Sequence, residues 1–225
     1  MKQYKYLDIA TVGFVLTLFL SNFVGNAKVA QIGNFTFLAG VILFPVSYLL
    51  GDILTEVYGY AKSRRVIWLG FGALIISATL IQIMIVMPSP TVWKNKAAFE
   101  AIFSNSFRVV ASSMLAFWAG EFTNSFTLAK MKILTKGKYL WTRTIGSTVI
   151  GEAVDTLVFY PLAFIGVAGF SSNLILVIMI TNYILKVSWE VIATPFTYAV
   201  VNFLKRKENE DYYDYKTDFN PFVIE

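Results

Sequence analysis

Residues Arg143–Pro161 read RTIGSTVIGEAVDTLVFYP, an apolar run with two carboxylates, Glu152 and Asp155, set in its middle. The run reads as a membrane helix, and an ionised carboxylate in hydrocarbon is costly, about 2.5 to 3.5 kcal/mol for Asp at a helix centre on insertion scales. An unpaired pair does not persist there by accident. Residues i and i+3 share a helix face, so both acids point the same way. They face a partner, a substrate or a water-filled cavity, and the rest of the chain bears on which.

Composition fixes the class. With 56% hydrophobic residues and 15% charged in 225, and a mean hydropathy of +0.62, the chain has too little polar surface to solvate a globule of its size. It is an integral membrane protein in a lipid bilayer. It has no Cys and no His, so thiolate and imidazole metal sites, Ser-His hydrolysis and a disulfide framework are poor fits, and no cofactor is expected. The net charge of +5 sits in short loops between apolar runs, the pattern of orientation signals and not of a nucleic-acid surface.

The spacing of apolar runs predicts an all-α protein with six transmembrane helices at about 7–25, 36–59, 66–87, 108–129, 143–168 and 174–204, each near the roughly 20 residues that span a bilayer. Residues 1–204 form the six-helix transmembrane domain, and 205–225 read as a polar, disordered cytoplasmic tail rich in Asp and Tyr. Lys2 and Lys5 precede the first run as they would in a signal peptide, but the run is too long and lacks a small-x-small cleavage site. Gly13, Thr17, Ser21 and Gly25 make a small-residue ridge along it. Pro45 should kink the second helix, and Pro195 the long sixth one. Between helices three and four, Trp93, Lys94, Lys96, Phe99 and Phe103 suggest an amphipathic segment on the membrane surface.

Of the Lys and Arg residues outside the spans, fourteen fall on one side and four on the other (Lys28, Lys94, Lys96 and Arg108). This asymmetry places both termini in the cytoplasm and makes the Lys130–Lys138 cluster a topology signal. Counting at 1.5 Å per residue, Asp52, Glu121, Glu152, Asp155 and Lys186 share one layer roughly 20 to 24 Å from the outer ends. Glu56 and Glu190 lie inside the spans as well. Three helices carry a Gly-acid-x-x-polar pattern in that layer: Gly51-Asp52 with Thr55, Gly120-Glu121 with Asn124, and Gly151-Glu152 with Asp155. The plain reading is a set of ion pairs on Lys186, with Arg143 or Arg108 at the ends. Six acids against one base at that depth leave some carboxylates protonated, wet or facing a ligand.

FPVSYLLGDILTEVYGY at 44–60 with Arg64 following, ASSMLAFWAGEFTNSFTLAKMK at 111–132, and RTIGSTVIGEAVDTLVF at 143–159 together resemble the queuosine precursor transporters of the vitamin uptake transporter family, over about residues 8 to 205. The resemblance implies six helices arranged like the substrate-binding subunits of energy-coupling-factor vitamin transporters. It also implies import across the inner membrane of 7-deazaguanines such as preQ0 and preQ1, with queuine a further substrate, for tRNA queuosine synthesis. A homo-oligomer such as a dimer is compatible with it.

A guanine-like edge offers two parallel donors, which one carboxylate accepts together. Glu121, Glu152 and Asp155 are candidates for that role, with Asn124 for the carbonyl edge and Phe117, Trp118, Phe159, Tyr160 and Trp189 as flat faces for the heterocycle. Asp52, Glu56, Lys186 and Glu190 complete the buried polar layer or couple transport. Two other classes remain. A binding subunit of an ATP-driven importer would need partner ATPases, since no G-x-x-x-x-G-K-[ST] loop is present. An intramembrane acid-base enzyme has little to work with here.

Overall fold

The computed structural model describes residues 4–25, 28–32, 35–103, 107–167 and 171–223. Helix α1 (Leu7–Phe19) runs on into a π-helical turn, Leu20–Val24. A two-stranded antiparallel hairpin follows, β1 (Val29–Ile32) and β2 (Phe35–Leu38), with Val29 opposite Leu38 and Ile32 opposite Phe35. Then come α2 (Gly40–Tyr58), α3 (Tyr60–Val86), the short α4 (Lys96–Phe103), α5 (Phe107–Leu134), α6 (Leu140–Phe164) and α7 (Ser172–Glu208). The long helices agree with the expected all-α class, and the short hairpin is an addition to it that moves the start of the second helix from 36 to 40. Aromatic and β-branched FTFL suits a strand, the ladder satisfies its backbone, and Ala39 N–H still bonds Lys28 O at 2.8 Å, so the helix begins only at Gly40.

A single residue, Gly59 at φ 87°, separates α2 from α3. That left-handed conformation favours glycine. Residues 60–65, expected as a loop because of Lys62, Arg64 and Arg65, are instead the first turns of α3. Helix α2 is assigned unbroken through Pro45, and α7 through Pro195 as one helix. Lys205, Arg206 and Lys207 occupy the last turn of α7, where cations oppose the negative end of the helix dipole.

Leu7–Val24, α3 and α7 are each long and apolar enough to cross a membrane, and the chain is a multi-pass membrane protein. Its surface bears this out: Ile192 and Val86 are each 80% exposed, whereas Asp52, Glu56, Glu121 and Asn124 are fully buried. Hydrocarbon rewards that inversion, since apolar side chains can face lipid and polar ones need protein.

Small residues set the helix crossings. The ridge on α1 serves α2 within the same chain: Gly13 lies against Leu50, and a Cβ on Gly25 would collide with the Gly40 backbone. Helices α5 and α6 make the most extensive contact. A Cβ on Gly120 would stand 3.1 Å from Gly151 O, and one on Gly151 would stand 2.7 Å from Asn124 Cβ. Helix α2 packs against α1, α3, α5 and α7.

The tail was expected to be disordered, and the structure overturns this. Beyond α7 it folds back across the ends of α2, α3 and α5. Asp214 accepts Tyr60 N–H at 3.1 Å, Arg64 Nη1 donates to Asp218 O and Asn220 O at 2.7 Å, and Trp68 Nε1 donates to Pro221 O at 2.8 Å. The rings of Tyr212, Phe219 and Phe222 give it apolar anchors: Tyr212 lies on Gly59, Phe219 beside Tyr60 and Phe222 beside Trp68. Charged composition alone predicts disorder, but Tyr and Phe at intervals gave this segment surface to bury. Glu208 joins the termini by accepting Lys5 N–H at 3.0 Å and Tyr6 N–H at 2.6 Å, an acidic cap on the start of α1.

Candidate functional site

The three Gly-acid-x-x-polar stretches meet. On α2, Gly51 leaves room for the Glu121 carboxylate, which a Cβ there would overlap. Asn124 Nδ2 on α5 donates to Asp52 Oδ1 at 2.6 Å, and the Thr55 hydroxyl donates to Ser125 Oγ at 3.1 Å. On α6, Glu152 and Asp155 turn together toward α7, where Lys186 Nζ lies 2.8 Å from Glu152 Oε2 and 2.7 Å from Asp155 Oδ2. The same ammonium sits 4.6 Å from the centre of the Phe44 ring. The plain ion-pair reading therefore holds for Glu152 and Asp155.

It does not hold for the rest of the layer. Both oxygens of Glu121, Asp52 Oδ2, Asn124 Oδ1 and Glu190 Oε1 are buried with no hydrogen-bond partner among the described residues. Buried polar atoms are rarely left so, because an unmade hydrogen bond forfeits the desolvation cost of the group, roughly 1 to 3 kcal/mol and more when it is charged. Glu121 is the extreme case, a fully buried carboxyl with two idle acceptors. The Tyr48 hydroxyl is idle and buried too. A Cβ on Gly120 would stand 2.6 Å from Tyr48 Oη and 2.9 Å from Asp155 Cβ, so Tyr48, Glu121 and the Lys186 triad adjoin.

Four of the five expected aromatic faces pack away from the charges. Phe117 is buried against Phe14; Trp118 belongs to a cluster with Trp68, Phe122 and Phe222; Phe159 meets Tyr160 and Phe164 edge to face; Trp189 packs half-buried on the core. Tyr160 is the exception, within electrostatic reach of Lys186, Asp155 and Glu152. Helix rotation, which composition does not reveal, decides this. Phe44 and Tyr48 also reach the charges, and the sequence reading missed them. Their signal was spacing: Phe44, Tyr48, Asp52 and Glu56 recur every fourth residue and form one face of α2.

Glu56 is not part of the same cluster. One turn beyond Asp52, it accepts two bonds from Arg143 and one from Lys205, and Lys132 lies 3.5 Å away. Lys132 is itself buried and also holds Asp211 of the tail at 2.6 Å. Lys132 thus also has a structural role that the topology reading of the Lys130–Lys138 cluster did not include. Arg108 caps the far end of α6, donating to Leu162 O and Ile165 O at 2.6 Å. Among the described residues no His, Cys, Asp and Glu grouping could hold a metal ion.

The sequence model of a family described as "Putative vitamin uptake transporter" matches residues 38–200. The chain belongs to this vitamin uptake transporter family. The matched region runs from the end of β2 into α7, so it contains every carboxylate of the cluster. A Bacillus subtilis (strain 168) protein named "Probable queuosine precursor transporter" is 27% identical over 182 residues, 80% of this chain and 79% of that protein. The Escherichia coli (strain K12) "Queuosine precursor transporter" is 23% identical over 163 residues, 72% of this chain and 71% of its own. A Haemophilus influenzae protein also named "Probable queuosine precursor transporter" is 25% identical over 126 residues, 56% of this chain and 51% of its own. No solved structure matches the chain. The family is one of transporters, not enzymes.

Proposed function

We propose that this protein imports 7-deazaguanine queuosine precursors across the inner membrane by alternating access, with Glu121 holding the guanine-like edge of the substrate. The observation that carries the reading is the buried Glu121 carboxyl with both oxygens unpartnered. Two adjacent acceptors match the ring N–H and exocyclic amine of such a heterocycle, and bidentate pairing to a carboxylate is strong and directional. Asn124, with Oδ1 idle, and the idle Tyr48 hydroxyl supply further polar contacts. The names of the relatives supply the substrate class.

In this reading α1, α2, α3, α5, α6 and α7 are the six spans, arranged as in the binding subunits of energy-coupling-factor transporters. The fourteen-to-four excess of basic residues supports a cytoplasmic placement of the joined termini. The test is tRNA queuosine in a strain lacking both its own precursor synthesis and its own transporter, supplied with external preQ0, preQ1 or queuine. Expression of this protein should restore the modification with at least one of them. Failure with all three overturns the substrate assignment.

A further inference from the structure

We propose that the Glu152–Asp155 pair is a recognition site for a ligand ammonium, and that Lys186 is a tethered cation that fills it between transport cycles. The proposal rests on the 7-deazaguanine reading above and narrows it to precursors that carry a primary amine on the 7-substituent.

Three features converge. First, the site already seats an ammonium. Lys186 Nζ is 2.8 Å from Glu152 and 2.7 Å from Asp155, and 4.6 Å from the Phe44 ring centre. Two carboxylates and an aromatic face make a cation box. Second, two carboxylates with one ammonium leave a net negative charge in a poorly hydrated place when both are ionised. A ligand ammonium that takes the place of Lys186 keeps that balance, so the exchange strands no further charge in the site.

Third, relative exposure favours exchange. Glu152 and Asp155 are held on α6, with side chains 1% and 6% exposed, while the Lys186 side chain is 18% exposed and long enough to withdraw. The Tyr48 hydroxyl is buried with no hydrogen bond made and lies beside the Asp155 stem next to Gly120, so a group entering there meets it as well. Glu121 lies on α5 and the Glu152–Asp155 pair on α6, the two helices that cross closely at Gly120 and Gly151, so one ligand between them can reach both.

The test is equilibrium binding of 7-aminomethyl-7-deazaguanine and 7-cyano-7-deazaguanine to the purified full-length protein in nanodiscs. The rings are the same and only the amine is charged. The aminomethyl compound should bind about tenfold tighter or more, the scale of a charge-assisted hydrogen bond. Lys186→Met should widen that ratio by removing the competing cation. Asp155→Asn or Glu152→Gln should shrink it to within about twofold, whatever happens to each affinity alone. A wild-type ratio near one overturns the proposal without reference to any variant, as does a ratio that Lys186→Met and the two amide variants leave unmoved. If neither compound binds, the 7-deazaguanine reading fails, and the site is assayed with benzylamine against benzyl alcohol. Amine selectivity lost in Asp155→Asn then supports an ammonium site, and its absence overturns it.

Discussion

Arg143 grips Glu56 with two arms of its guanidinium, Nε 2.7 Å from Oε2 and Nη2 2.8 Å from Oε1, and both side chains are buried. Lys132 and Lys205 reach the same carboxylate. One acid thus fastens α2 to α5, α6 and α7 at the end where the tail returns. Removing one partner of a buried ion pair strands the others, at about 3 to 5 kcal/mol. Glu56→Gln should therefore lower thermal stability in detergent sharply, and a wild-type unfolding temperature would refute this.

The lysines of the α5–α6 connection should separate. Lys132 is buried and donates to Asp211 at 2.6 Å and Tyr212 O at 2.8 Å, whereas Lys136 and Lys138 are exposed. Lys132→Met should destabilise the purified protein, while Lys136→Met and Lys138→Met leave its unfolding curve unchanged. Equal losses in all three would show that Lys132 has no special place in the fold.

Deleting residues 209–225 should uncover Trp68 and Trp118, which the Phe222 ring contacts at centroid distances of 6.3 and 5.7 Å, and should remove the acceptors of Arg64. A red shift of tryptophan emission with lowered stability is the expected result. Unchanged emission would mean that the strap contributes nothing to packing.

Two tail acids give the strap opposite pH signs. Burial pushes Asp211 up, but hydrogen bonds from Lys132 and Lys205 hold it below its ordinary 3.8. Its contribution is present above that value and fades as pH falls through the lower, folded one. Burial raises Asp214 despite bonds from Thr217 and Tyr60, so its contribution is greatest below 3.8 and is lost as pH rises through the folded value. Hydrogen exchange of tail amides, corrected for intrinsic rates, should show Asp211→Asn weakening docking at neutral pH more than at pH 3. Equal weakening at both would contradict this assignment.

Glu121→Gln keeps the shape and swaps an acceptor for a donor facing the donors of the substrate. Binding of a 7-deazaguanine should weaken by about 1 to 3 kcal/mol with folding nearly intact. Calorimetry and thermal unfolding on the same sample decide it, and wild-type affinity would remove Glu121 from the site.

Gly120→Ala tests the crossing that assembles the cluster. The added methyl meets Tyr48 Oη, Asp155 Cβ and Gly151 O within 3.1 Å, an overpacking cost of about 1 to 3 kcal/mol. A stability equal to wild type would show that the helices part freely there.

By itself the sequence determined that the chain lives in a membrane, that long helices carry it, and that Glu152 shares a face with Asp155 and Gly120 begins a contact surface. Hydropathy and the 3.6-residue period are properties of one segment, readable without a neighbour. The bases that could serve the acids, Lys186 with Arg143 or Arg108, were readable in this way, but which acid each one takes was not. Lys186 lies 34 residues from Glu152, and Arg143 lies 87 from Glu56; only the rotation of each helix, fixed where Gly120 meets Gly151, selects those pairs and leaves Glu121 idle. The returning tail was hidden for a related reason. Its backbone is stabilised by surfaces supplied elsewhere, residues 212–222 by Tyr60, Arg64 and Trp68, and a local pattern cannot show a surface that forms only when distant segments meet.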